Sequence, residues 1–278
     1  MAALMDILGI NGRIPTDTPT AELLSSVDKG AYIQEKHVFW LDDVPVPMYL
    51  LIPKEAIKPH VMMAFHGHAP SVHHILGESP IYDENFGQHF AEDGYLVCAI
   101  EQRGFGERVT DQVKGNSCRH LAFDYMMHGK TLLGERVRDG IAALNYVLSR
   151  WNYDVSCVGH SGGATTALFL SALDARINHT IISSYFCEYK KSILGMPHCE
   201  CNYVPNLLTV GDVGDIAAMI APRDLLIVHG QADTIFPIDG VDAPYQVVKA
   251  AYPPQACSII IHPGGHEFVY AISRDWLG

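Results

Sequence analysis

Gly159-His160-Ser161-Gly162-Gly163 sets a serine among glycines in the pattern Gly-x-Ser-x-Gly. The apolar run 155–158 precedes it, and the segment 161–173, opening in small residues, follows and reads as a helix. A nucleophilic serine needs this context. At a sharp strand-to-helix turn the hydroxyl stands clear of the sheet, and side chains at the flanking positions would collide. The helix start also turns backbone N–H groups and a positive dipole end toward developing negative charge. The same residues could instead form a glycine-rich turn with a serine capping a helix. The partners of Ser161 separate the two readings.

A hydroxyl attacks only when a base takes its proton, and a neutral imidazole suits that task near pH 7. His266 lies in Pro263-Gly264-Gly265-His266-Glu267, directly after the last strand-like run, 258–261. A histidine on a glycine-rich loop there can reach back over the sheet. His262 competes, but it ends the strand itself and has less freedom to swing. The acid that orients the imidazole is sought in His229-Gly230-Gln231-Ala232-Asp233, after the run 225–228. Asp233 is the choice. Asp239 and Asp242 lie beyond Pro237 and read as a solvated helix start. The order serine, acid, histidine is the one expected when a serine elbow tops an α/β sheet. Two N–H donors must then meet the oxyanion. Gly162, the residue after the serine, supplies one from its backbone, and the backbone of His68 in Phe65-His66-Gly67-His68 is placed to supply the other.

The elements needed to position these groups are legible. Residues 1–30 read as a short helical extension followed by a polar segment. Runs 37–41 and 46–52, joined at Asp42-Asp43, fit a hairpin. Strands are expected at 61–65, 95–100, 155–158, 180–183, 225–228 and 258–261. Helices are expected at 85–92, ending at Gly94, and at 132–149, where Val137, Ile141, Leu144 and Leu148 share one face. The alternation predicts an α/β fold with a mostly parallel central sheet and helices on both faces, as one domain over residues 1–278. The stretch 185–215 breaks the rhythm and reads as a short cap-like insertion over the carboxyl edge of the sheet. Its Tyr185, Phe186 and Tyr203 are candidate substrate-binding residues.

With 48% hydrophobic and 18% charged residues, the chain can bury a sizeable core and is not disordered. A net charge of -12 argues against nucleic acid as a partner. No apolar stretch reaches the ~18 residues of a membrane span, and no basic residue precedes Arg13, so neither a membrane nor a secretory signal is expected. The odd count of 7 cysteines, two of them (Cys98 and Cys157) in apolar strands, suggests reduced thiols. Together these point to a cytoplasmic protein, and a homo-oligomer is left open.

Two further motifs have ordinary readings. His198-Cys199-Glu200-Cys201, with His73-His74, offers imidazole and thiolate ligands. Its Cys-x-Cys spacing is not the usual Cys-x-x-Cys and no second pair follows, so no metal site is expected and the segment reads as pocket lining. Arg103-Gly104-Phe105-Gly106-Glu107-Arg108 lacks the lysine and glycine spacing of a phosphate loop and reads as a turn buttressing the site.

The set His66-Gly67, Arg103-Gly104-Phe105-Gly106, Gly159-x-Ser161-x-Gly163, His229-Gly230-x-x-Asp233 and Gly265-His266 resembles α/β-hydrolases of the dienelactone hydrolase and acetyl xylan esterase type, over roughly residues 45–275. The resemblance implies the α/β-hydrolase fold and cofactor-free hydrolysis of carboxylic esters, often short acyl groups on sugars or small molecules. Dienelactone hydrolases resemble one another in a cysteine nucleophile, and this chain has Ser161 there. The expectation is a serine hydrolase acting on a small-molecule, acetyl-type ester. A peptidase, a carbon–carbon hydrolase or a non-catalytic ligand receptor on the same fold are the alternatives.

Overall fold

The structure is a computed structural model that describes residues 1–55, 57–79, 84–110 and 115–278. Nine strands among them form one sheet: β1 (Glu22–Asp28), β2 (Tyr32–Leu41), β3 (Val44–Pro53), β4 (His60–Phe65), β5 (Leu96–Ile100), β6 (Asp154–His160), β7 (His179–Ser183), β8 (Asp224–Gly230) and β9 (Cys257–His262). Their spatial order is β1-β2-β3-β5-β4-β6-β7-β8-β9. The first three strands meander antiparallel onto β5, and every pairing from β5 to β9 is parallel. The parallel strands β4 to β8 are apolar runs because both faces are covered, whereas the edge strand β9 is partly exposed. The expected α/β-hydrolase architecture is the observed one.

Helices α1 (Ala2–Leu8), α2 (Phe86–Glu92), α3 (Cys118–Met127), α4 (Leu132–Arg150), α5 (Gly162–Leu173), α6 (Val213–Ala218), α7 (Asp242–Ala251) and α8 (Tyr270–Leu277) complete the fold. Leu4 and Leu8 of α1 pack with Val137, Ile141 and Leu144 of α4 and with α5 in the larger core. Phe86 and Phe90 of α2 and residues of α8 share a second core with Val97, Val158 and Leu226. The helix predicted at 132–149 is α4, and Thr131 caps it by accepting the Gly134 N–H at 2.9 Å. None of the described helices is long and apolar enough to cross a membrane.

The segment after α1 and the end of the insertion differ from the sequence reading. The segment after α1 is not only a polar extension, because β1 pairs antiparallel with β2 from Glu22 opposite Val38 to Asp28 opposite Ile33. All seven of its residues are exposed, so burial left no alternating pattern to read. The insertion gives way to α6 at Asp212 rather than at 215. There the Asp212 carboxylate accepts the Val213 N–H, and the Asp215 carboxylate accepts the Asp212 N–H, closing a capping box.

The loop after β5 is tied to α4 by buried ions. Arg103 donates two bonds to Asp139, each 2.9 Å long, and Arg108 reaches Asp139 at 2.7 Å. Glu135 meets both Arg103 and Arg138 at 3.1 Å. Burial alone would push the Asp139 carboxyl up, but the guanidinium groups of Arg108 and Arg103 hold it below the usual carboxylate range. The buttressing turn read from the sequence is therefore an ionic one. Removing one member leaves buried charge uncompensated. Asp139→Ala is expected to lose about 3–5 kcal/mol of stability. In urea unfolding the midpoint should fall with an unchanged slope.

Candidate functional site

Strand β6 delivers Ser161 at its carboxyl end with φ 53° and ψ −122°, a conformation that L residues avoid. The turn is tight because strand and helix nearly touch. A Cβ on Gly159 would sit 2.3 Å from the Gly163 carbonyl, and one on Gly163 would sit 2.0 Å from the Phe65 oxygen. Only glycine fits at either place. The Ser161 N–H is spent on the Ser183 carbonyl of β7 at 2.9 Å, which pins the elbow to the neighbouring strand.

Asp233 and His266 are brought together by the loops after β8 and β9. Those loops are zipped by backbone bonds, Gln231 N–H to His262 O at 2.7 Å and Ala232 N–H to Gly264 O at 2.9 Å. The Asp233 carboxylate is fully buried and lies 2.8 Å from His266 Nδ1. Its other oxygen accepts the N–H groups of Ile235 at 2.8 Å and Phe236 at 3.0 Å. Burial opposes ionisation, but the bonds from His266 and Phe236 overcome it and hold the carboxyl below its ordinary value. The His266 ring stacks on Phe236, with centroids 5.7 Å apart and planes 17° from parallel.

Ser161 and His266 line one cavity of about 320 Å³ together with Gly67, His68, Ala69, Glu84, His160 and Ile235. His262, the competing histidine, is buried at the end of β9 with its Nδ1 accepting the Gly264 N–H at 3.1 Å, so it orders the histidine loop. Asp239 and Asp242 fall in the turn Ile238–Gly240 and at the start of α7, as read. The loop of His66 to His68 lies against the elbow. A Cβ on Gly162 would meet the His68 ring at 2.5 Å, so these two residues are in direct contact beside the serine.

None of the three residues expected to bind substrate lines this cavity. Tyr185 and Phe186 are 1% and 0% exposed and belong to the core. The Tyr185 hydroxyl is 2.7 Å from that of Tyr189. Ser184 takes φ 52° directly after β7, and the chain there turns both rings inward under the insertion. Tyr203 is exposed, but it donates to the Ile193 carbonyl at 2.9 Å and lines a separate depression with Leu194 and Pro205.

Other residues do face the site. His160 Nε2 lies 3.2 Å from Glu84, and the His160 ring is 5.0 Å from that of His266. Burial works against ionisation of Glu84, yet its bond to His160 holds the carboxyl below its ordinary value. A second opening of about 270 Å³ continues from Ser161 past His198, Asn202 and Phe236. Beneath the loop, Gln102 donates to the His66 carbonyl at 2.5 Å and accepts the Thr166 hydroxyl at 2.6 Å, which clamps the loop to α5. His160 was in view as the variable position of the serine motif. Glu84 and Gln102 carry no local pattern that would have marked them. The insertion's polar groups divide. His198 turns to the Ser192 hydroxyl at 2.9 Å, whereas Cys199 and Cys201 meet His68 and Cys118 in a group able to hold a metal ion.

The Asp233 pairing has a pH signature. A carboxyl with a lowered folded-state pKa contributes stability above its unfolded value of ~3.9, and loses it as pH falls toward the folded value. The stability difference between the native chain and Asp233→Asn should be constant above about pH 5 and shrink below about pH 4. Urea midpoints across that range check this. A difference that grew on acidification would contradict it.

A model of the Abhydrolase family matches residues 2–257. The match ends ahead of His266, so that residue's place rests on the geometry of the last loop. The chain is 26% identical over 251 residues to "Putative hydrolase YtaP" of Bacillus subtilis (strain 168), covering 82% of this chain and 80% of the relative. Among solved structures it resembles a "putative acetyl xylan esterase" from Bacteroides fragilis NCTC 9343, with TM-score 0.78, 18% identity, and coverage of 94% of this chain and 72% of the other. It also resembles acetyl xylan esterase 1 from Thermoanaerobacterium sp. JW/SL YS485, with TM-score 0.68, 19% identity, and coverage of 96% and 88%. At these identities the structural likeness carries the fold, and the family match carries membership: the chain belongs to the Abhydrolase family.

Proposed function

We propose that the protein is a serine hydrolase that cleaves small carboxylic esters through an acyl-enzyme on Ser161. The observation that carries this reading is a serine at φ 53° on a strand-to-helix elbow, sharing a cavity with a histidine whose Nδ1 is held 2.8 Å from a buried carboxylate. Asp233 fixes the imidazole tautomer, leaving Nε2 free to take the serine proton. Ser161 attacks the ester carbonyl, and the backbone N–H groups of Gly162 and His68 stabilise the oxyanion. His266 then protonates the leaving alcohol. Water activated by the same histidine releases the acid. The reaction needs no cofactor.

The cavity lining favours a short acyl group and a polar alcohol. The Glu84 carboxylate lies on its wall 3.2 Å from His160 Nε2, and a long alkyl chain laid against that carboxylate would strip its solvation without replacing it. Acetyl esters of a sugar fit such a pocket, and the resemblance to acetyl xylan esterases points the same way.

Ser161→Ala is expected to lower kcat/KM for an ester by about 10⁴-fold or more, and to abolish labelling by a fluorophosphonate, without unfolding the chain. Retained turnover in a pure sample would overturn the assignment. Absence of labelling in the native chain would favour a ligand receptor, and faster cleavage of amides than of esters would favour a peptidase. Across p-nitrophenyl esters below their micellar concentrations, kcat/KM should fall from acetate to octanoate. A pocket open to the chain would instead gain up to ~0.8 kcal/mol per methylene, so a steady rise would refute the short-acyl reading.

A further inference from the structure

Four potential metal ligands from three distant parts of the chain converge beside the serine. His68 comes from the loop after β4, Cys118 opens α3, and Cys199 and Cys201 flank Glu200 in the insertion. Their ligand atoms all lie within 4.8 Å of one another. His68 Nε2 is 3.1 Å from the Cys201 sulfur, which is 3.4 Å from that of Cys199. A tetrahedral zinc ion, with Zn–S near ~2.3 Å and Zn–N near ~2.0 Å, requires its ligand atoms to stand about 3.5–3.8 Å apart. The group is already close to that size. A disulfide between Cys199 and Cys201 would use two of the four and leave the convergence of His68 and Cys118 without a reason.

The charge balance points the same way from a separate observation. Arg136 on α4 is 3% exposed. Arg103, Arg108 and Arg138 each meet a buried or half-buried carboxylate, but Arg136 makes no ion pair with a carboxylate among the described residues. Its Nη2 instead lies 3.1 Å from the Cys118 sulfur, and Nε and Nη2 also donate to the Arg103 carbonyl at 3.1 and 2.6 Å. A buried guanidinium needs a nearby negative charge. Three thiolates, a neutral imidazole and a divalent cation sum to one negative charge, which Arg136 balances.

We propose that His68, Cys118, Cys199 and Cys201 form a closed, structural site for a thiolate-seeking divalent cation of the zinc type. Four protein ligands leave no open position, so the ion is an anchor rather than a Lewis acid for the reaction. It joins the insertion and the start of α3 to the loop that lies against Gly162, and so fixes His68 beside Ser161. The site departs from the sequence expectation of no metal site, which considered Cys199 and Cys201 with His198 and His73-His74. The two missing ligands lie too far upstream for any spacing rule to pair them.

The test is elemental analysis of the full-length, untagged chain purified from zinc-replete cells without chelator, so it reads metal and not ester turnover. About one tightly held zinc per chain is expected. Cys118→Ser and Cys201→Ser should each lower the zinc content about tenfold or more, while Cys257→Ser, outside the group, should retain it. Those ligand variants could fail to fold, so the native chain is also grown in cobalt. Thiolate-to-cobalt charge transfer and tetrahedral d–d absorption are then expected. Four outcomes would each overturn the site: native protein without bound metal, zinc content unchanged in the folded ligand variants, octahedral cobalt spectra, or a disulfide among Cys118, Cys199 and Cys201 in freshly isolated protein.

Discussion

The close approach of β6 to α5 is the constraint on which the site depends. With no side chain at 159 or 163, the strand can turn into the helix within one residue, and that residue is Ser161 at φ 53°. The strain is held by neighbours on both sides. Ser183 of β7 accepts the serine's N–H, and the loop after β4 lies against the helix start. Because β5 to β9 run parallel, the carboxyl ends of β4, β6, β8 and β9 open on one edge of the sheet. Ser161, Asp233 and His266 meet there for that reason, although they are far apart in the chain.

Beneath that edge lies a layer of buried polar contacts that the chemistry does not touch but the geometry requires. Glu135, Arg136, Arg138 and Asp139 occupy consecutive turns of α4 and are all buried. They hold Arg103 and Arg108 of the loop after β5. Gln102, the residue before Arg103, bridges His66 to Thr166 and so couples this layer to the loop beside the serine. Buried ion pairs contribute little net stability because desolvation offsets attraction. Their effect here is geometric, since the bonds from Arg103 and Arg108 to Asp139 set where the loop lies against α4.

The insertion after β7 sits over this frame and closes the site from above. Its Tyr185, Phe186 and Tyr189 go down into the core, its Cys199 and Cys201 turn toward His68, and its His198 and Asn202 border the opening by Ser161. The cavity wall thereby lacks the insertion's aromatic rings, and Glu84 and His160 stand on it 3.2 Å apart.

Local pattern was enough to read the serine elbow, the parallel strands and the order of serine, acid and histidine. A strand of four apolar residues, a glycine pair around a serine and a glycine-rich loop after a strand are all statements about neighbours in sequence. The pairing of Asp233 with His266 rather than His262 was legible too, because a residue inside a ladder cannot swing. The edge strand β1 was not, since exposure on every residue erases the alternation that marks a strand. Nor was the inward turn of Tyr185 and Phe186, just past the left-handed residue Ser184. The burial of Glu135, Arg136, Arg138 and Asp139 on α4 carries no local signal, since it arises from packing against the loop after β5. The grouping of His68, Cys118, Cys199 and Cys201 depended on three loops arriving at one point. Sequence spacing reports contacts along an element, but contacts between elements exist only once the sheet has closed.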